Sequence, residues 1–189
     1  LIVPSLTAGA ITQEQERGSL ELLRMSRLGA GSILVGKLGV ALLFVLFLLL
    51  GTLPGWYAIY YLEINTTQEI LQSWAVIGTT MLFALTSGLV ASAMATRTPV
   101  ATALAYGLNF LVAIATLLPL LTADQLSLPL REGILVLNPF ASSLQVLTRG
   151  IFDDLGILWQ RHTTMALSAS GVFLIIAFLR LRWLLQPQK

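Results

Sequence analysis

The sequence predicts an all-α, polytopic bundle of transmembrane helices, and three observations predict it. Of 189 residues, 56% are hydrophobic and only 11% are charged, against roughly 25% charged in soluble domains. The mean hydropathy is +0.84. The apolar residues fall in uninterrupted runs, and four of these reach the roughly 20 residues that a helix needs to cross a bilayer. Eleven basic and nine acidic side chains cannot coat a globule of this size, so lipid is the expected solvent for most of the surface.

Taken in order, residues 1–10 form an apolar stretch that reads as the end of a preceding membrane helix, and the sequence as a fragment of a longer chain; it is too short for a signal peptide. Residues 11–32 are a mixed acidic, basic and apolar connection. Complete spans are expected at 33–61, 71–95, 100–121 and 163–185, with an outer loop at 122–162, all within one membrane domain covering 1–189. The first span would reach about 43 Å at ~1.5 Å per residue. Pro54, between Gly51 and Gly55, is its expected kink.

Basic residues set the orientation. Arg17, Arg24, Arg27, Lys37, Arg97, Arg180, Arg182 and Lys189 share one face, leaving Arg131, Arg149 and Arg161 on the other. The connection at 11–32 is therefore expected to be cytoplasmic. Glu63, Glu69, Asp124, Glu132, Asp153 and Asp154 lie on the outer face. Trp56, Trp74, Trp159 and Trp183 all fall at span ends, where indole favours the headgroup layer.

The same inventory excludes several function classes. A formal charge of +2 with no basic run gives no nucleic-acid partner, and the absence of cysteine removes disulfides, thiolate metal sites and thiol nucleophiles. Every Asp and Glu lies in a loop or at a span end. His162 is expected just outside the last span as an interface residue, so no ionisable group is available at membrane depth for ion coupling or hydrolysis. No catalytic, metal or cofactor residue is assigned on this chain, and no substrate-binding residue can be chosen.

Small residues recur at helical spacing instead. Ala84, Gly88 and Ser92 lie on one helix, and Ala101, Ala105, Asn109 and Ala113 on the next, a pattern that lets backbones approach closely and predicts a tightly packed pair. Gly88, Ser92, Ala105 and Asn109 are the expected packing residues, with the Asn109 amide bonding between helices in preference to lining a substrate path. In the outer loop, Asn138-Pro139 reads as an N-cap followed by proline at the first helical position. Phe140, Leu144, Leu147 and Ile151 then share a face, which predicts a short interfacial helix.

The connection ITQEQERGSLELLRMSRLGAGSILVGK, from Ile11 to Lys37, is the most informative stretch. Gly18-Ser19 is a break with an N-cap residue, after which Leu20, Leu23 and Arg27 share a face, so a short amphipathic helix is expected on the membrane surface. Glu14, Glu16 and Glu21 are the only carboxylates on that side. On pattern alone this is a solvated linker helix; an acidic patch there also suits a soluble partner.

The run Glu14-Gln15-Glu16-Arg17-Gly18-Ser19-Leu20-Glu21-Leu22-Leu23, closing with Ile33 and Gly36-Lys37, resembles the signature of ABC transporter permeases of the type-2 class, a pattern like E-R-E-x-G-[ST]-L-E-x-L-L followed by I-x-x-G-K. Asn138-Pro139 before the last helix and the stretch Ser87 to Tyr106, with Arg97 in its inner turn, are similar as well. The resemblance covers the whole chain, as part of helix two through helix six of a six-helix subunit. Gln15 stands where the family often has Arg, and Arg27 where it often has Pro.

What the resemblance implies is the membrane subunit of an ATP-driven transporter, commonly an exporter, in a bacterial plasma (inner) membrane. Its partners would be an ATP-binding-cassette ATPase subunit and a second permease subunit, as a homo- or heterodimer. Glu14, Glu16, Arg17, Gly18, Ser19, Leu20, Glu21, Leu23 and Arg24 would form the element that couples to the ATPase. ATP and magnesium would belong to that partner, since GSILVGK at Gly31 to Lys37 lacks the Ser or Thr that completes a phosphate-binding loop. A membrane anchoring or assembly protein using the same segment, or a secondary transporter, are the competing classes.

Overall fold

Membrane-spanning chains satisfy their backbone groups internally, which in a single chain segment means a helix. The computed structural model describes residues 2–19, 29–62, 66–121, 126–148 and 157–186, and every element among them is helical. In chain order they are α1 (Ile2–Ala8), α2 (Thr12–Glu16), α3 (Ala30–Tyr61), α4 (Thr67–Met94), α5 (Thr98–Phe110) running into a π-helical turn (Leu111–Ala115), α6 (Leu118–Leu121), α7 (Leu128–Leu135), α8 (Pro139–Leu147) and α9 (Leu158–Leu185). Four stretches, α3, α4, Thr98–Ala115 and α9, are long and apolar enough to cross a membrane. The chain is an integral membrane protein with an all-helical bundle fold. Outward-facing apolar side chains such as Val40, 71% exposed, and Phe47, 72% exposed, suit a lipid solvent.

The third span differs most from the sequence expectation of 100–121. The α-helix ends at Phe110, a π turn follows, and the chain turns at Thr116 and Leu117 before the separate α6. Pro119 has no N–H to offer the carbonyl of Ala115, so the ladder cannot continue. The Thr116 hydroxyl turns back to the Val112 carbonyl instead. Hydropathy does not register this break, because Leu-Leu-Pro-Leu-Leu is as apolar as the helix before it. The last helix begins at Leu158, ahead of the expected 163, and takes in the polar run Gln160, Arg161 and His162.

The segment 122–162, expected as an outer loop, holds two helices among its described residues where the sequence suggested one. Asn138 caps α8 as expected: its Oδ1 accepts from Phe140 N at 2.8 Å and Ala141 N at 3.0 Å, with Pro139 in the first turn. Phe140 (61%) and Leu144 (42%) are exposed, while Ala141, Ser142 and Val146 are buried on the other face. Ile151 lies outside the described residues. The unexpected helix is α7, whose start was signalled by Ser127 at the N-cap position and Pro129 in the first turn. Pro54 lies within α3, which is helical on both sides of it.

The chain divides into two compact units, each of which takes part of all four long helices. The first comprises Leu1–Leu46, Leu82–Asn109 and Ala169–Lys189. Its core gathers Ile11, Ile33, Leu34, Leu89, Ala93, Ala177 and Leu181, with a second knot of Ala8, Ala91 and Ala105. Phe83 and Phe173 add a tilted ring contact at 5.5 Å. The second unit comprises Phe47–Met81 and Phe110–Ser168, with a core of Leu135, Val136, Ala141 and Leu158. Trp56 and Trp74 meet there at 6.4 Å.

Candidate functional site

The candidate site is the segment from Ile11 to Ser19 in the first unit. Its short helix α2 begins at an Ile11 N-cap, a side chain with no oxygen to accept the first free N–H groups. The acceptor comes from α4: Ser92 Oγ takes the N–H of Ile11 at 2.8 Å and of Thr12 at 3.1 Å. At the other end Gly18 adopts φ +68°, the left-handed conformation that stops a helix and that an L side chain adopts only with strain. Arg17 N then bonds to Gln13 O at 3.0 Å and Gly18 N to Gln15 O at 3.2 Å.

Two carboxylates project from this helix, and both are engaged within the chain. Glu14 accepts from Lys37 Nζ of α3 at 3.1 Å and from the Ser19 hydroxyl. The first acid of the sequence motif and the lysine at its end are thus joined. Glu16 meets the start of α5, where Arg97 stands at the position a capping side chain would occupy and Pro99 follows in the first turn. Its Oε1 accepts from Thr98 N and its Oε2 from Thr98 Oγ1, both at 2.8 Å. A carboxylate at a helix N-terminus also faces the positive end of the backbone dipole.

These contacts hold both acids below the ordinary carboxylate value of 4.5. For Glu14 the Ser19 hydrogen bond is the largest cause and the Lys37 bond the next. For Glu16 the Thr98 N–H comes first and its hydroxyl second, with the charge of Arg97 a smaller contribution. Both groups are therefore ionised near neutral pH and are already spoken for by the protein's own donors.

The helix that leads into the segment, α1, is itself fixed to α4. Thr7 Oγ1 donates to the Leu85 carbonyl at 2.6 Å, and α1 lies so close to Gly88 that a Cβ there would fall 2.5 Å from Pro4 O and 3.2 Å from Ala8 N. The small residue at 88 is what lets the two backbones approach. The α4 stripe is therefore divided between neighbours. Gly88 and Ser92 meet α1 and α2, whereas α5 meets α4 through Asn109, whose Nδ2 donates to Ser87 Oγ at 2.8 Å, and through Ala105, which packs with Ala8 and Ala91. The same Asn109 nitrogen also lies 2.8 Å from the Ala105 carbonyl.

Of the expected coupling residues, Glu14, Glu16, Arg17, Gly18 and Ser19 are thus clustered on α2 and the turn after it, with Arg17 and Glu16 exposed. Ser19 bonds back to Glu14, closing the turn behind it. Leu20, Glu21, Leu23 and Arg24, and with them the expected amphipathic helix, lie outside the described residues. Sequence reasoning missed Thr12, Thr98 and the capping role of Ser92. The signal was there in negative form, as helix starts at Ile11 and Arg97 that carry no capping side chain.

The second unit carries its own polar cluster. Asn138 is fully buried, and besides capping α8 its Nδ2 donates to Ala113 O at 2.9 Å and Thr116 Oγ1 at 2.7 Å, so a carbonyl of the π turn and the hydroxyl just after it find a partner. Gln145 Oε1 accepts from Leu158 N at 2.8 Å, capping α9 across an Ile157 that has no oxygen to offer. His162, expected outside the last span, lies inside α9 and is only 5% exposed. Its Nδ1 is 2.9 Å from the Val136 carbonyl and its Nε2 is 3.0 Å from Thr80 Oγ1. The carbonyl can only accept, so Nδ1 carries a proton, and Nε2 faces a Thr80 hydroxyl that also reaches the Val76 carbonyl at 2.7 Å. An ionisable side chain therefore does fall within a span helix, one turn from its start, where it serves as a bridge. Among the described residues no three His, Cys, Asp or Glu side chains gather to hold a metal. Comparison of the chain with models of known protein families and with curated proteins finds no match to either.

Proposed function

We propose that this chain is the membrane-spanning permease subunit of an ATP-driven transporter of the type-2 ABC class, working as an exporter with a second permease subunit and with ATPase subunits that carry ATP and magnesium. The segment Ile11 to Ser19 and the residues after it would be the cytoplasmic element that docks on the ATPase. One observation carries the reading: this short acidic helix is bonded at separate points to α3, α4 and α5, through Glu14, Ser92 and Glu16. A displacement imposed on it from outside would reach three long helices at once, which is what coupling to a separate energy source requires. The motif resemblance at Glu14 to Leu23 and Gly36-Lys37 supplies the identity of that source.

The test is affinity purification of the full-length protein in mild detergent, with mass spectrometry and an ATPase assay of whatever co-elutes. A nucleotide-binding subunit should co-elute and be lost when Glu14, Glu16 and Glu21 are replaced by Lys. Recovery of folded protein with no ATPase attached, or an ATPase that stays bound through all three charge reversals, contradicts the proposal.

A further inference from the structure

We infer that Glu16 is a positioning residue: its two-point contact with Thr98 sets where α5 begins, so that the start of this helix follows the segment Ile11 to Ser19. The inference rests on the proposed coupling role only for the source of the movement, since the contact is a feature of the fold. The three attachments of α2 differ in kind. Lys37 reaches Glu14 through a long, partly exposed side chain and touches one oxygen. Ser92 reaches the backbone of α2, so it fixes that helix to α4 without involving α5. At Glu16 both carboxylate oxygens are used and both donors belong to one residue, an amide and a hydroxyl at 2.8 Å each. Two parallel bonds fix direction as well as distance.

The other end of the contact explains why α5 depends on it. Neither the Arg97 side chain nor Pro99 can accept from the Thr98 N–H, which bonds instead to Glu16 Oε1, so the helix start is specified from 82 residues away in sequence. The Thr98 hydroxyl also reaches Thr12 Oγ1 at 3.1 Å, which places a second α2 oxygen against the same point. Movement of α2 therefore obliges the start of α5 either to follow or to give up its cap.

The 189-residue sequence has no cysteine, so Val100→Cys, a position 49% exposed in the first turn of α5, introduces one reporter in it, whose labelling is read on its own peptide. In the full complex with its ATPase subunit, the rate of labelling by a water-soluble maleimide is compared without nucleotide and with ATP plus vanadate. We expect a nucleotide-dependent change in rate on the otherwise native chain. Thr98→Ser keeps both donors and should keep that change. Thr98→Pro removes both donors while leaving Glu16 intact, and proline is tolerated at the first position of a helix; it should abolish the change while the ATPase still co-purifies. Thr98→Val, which removes the hydroxyl alone, should reduce the change and serves if the proline variant does not fold. A change that survives in Thr98→Pro or is undiminished in Thr98→Val overturns the inference and leaves the coupling proposal standing. Absence of any co-purifying ATPase with the native chain overturns both.

Discussion

The two compact units meet the same problem, long helices that begin without a capping residue of their own, with different chemistry. In the first unit a carboxylate on a short exposed helix caps α5, and a serine from α4 caps that short helix in turn. In the second, a neutral amide from α8 caps α9, while a buried asparagine secures α8 to the π turn. Ionised groups at an exposed surface respond to pH, to salt and to a charged partner. Neutral amides respond to none of these, and loss of the fully buried Asn138 leaves unpaired groups that water cannot reach. The first arrangement suits a connection that must be worked from outside, the second a connection that must hold.

That contrast can be tested at its strongest points first. Gly88→Leu should be the most damaging change in the first unit, because the approach of α1 leaves no room even for a Cβ. Overpacking against backbone costs about 1–3 kcal/mol, and here the clash is with Pro4 O and Ala8 N, which cannot rotate away. The expected outcome is loss of folded protein by size exclusion in detergent. Normal yield and melting temperature would mean that α1 does not sit on Gly88.

In the second unit, Asn138→Ala removes four hydrogen bonds at a site with no solvent access. The expected cost is about 2–4 kcal/mol, allowing for the buried groups left unpaired, read as a fall in thermal stability. Asn138→Asp should rescue little. It restores the cap of α8, but offers a carboxylate in place of the donor that faced the Ala113 carbonyl.

A smaller effect distinguishes the units by pH. Both Glu14 and Glu16 are held below 4.5 by contacts present only in the folded chain, so the unfolded chain binds more protons in the acid range. Their contribution to stability is complete above the unfolded value, and is lost as pH falls through the lowered folded values. Acidification from neutrality should therefore loosen α2 and the start of α5 below about pH 4.5. Limited proteolysis around Arg17 should report this, and Glu14→Gln with Glu16→Gln should remove the pH dependence. Equal acid sensitivity at α8 would erase the distinction between the units.

The sequence was most legible where structure depends on neighbours in the chain. Four apolar runs marked the membrane helices, and Asn138-Pro139 marked the start of α8 because cap and first turn lie side by side. The start of α4 follows the same local rule, although the span was expected only from 71: Thr66 and Glu69 cap each other reciprocally, with Thr66 N to Glu69 Oε2 at 2.7 Å. What stayed hidden depended on residues far apart in sequence. Glu16 to Thr98, Ser92 to Ile11 and Gln145 to Leu158 satisfy helix ends from other elements, and no spacing rule connects them. The end of the third span was hidden for another reason, since hydropathy measures transfer to lipid and is blind to a proline that interrupts the ladder at Ala115. His162 read as lying ahead of the last helix because its neighbours Gln160 and Arg161 are polar; the helix takes in all three, with Gln160 and Arg161 exposed and the imidazole buried.

The most direct test of trans-capping as the basis of the two units is amide hydrogen exchange at Thr98 and Leu158 in the purified full chain. Glu16→Ala should accelerate exchange at Thr98 and leave Leu158 unchanged, and Gln145→Ala should do the reverse. If neither substitution changes its own target amide, the helix starts are held by something other than these side chains, and the account of both units fails.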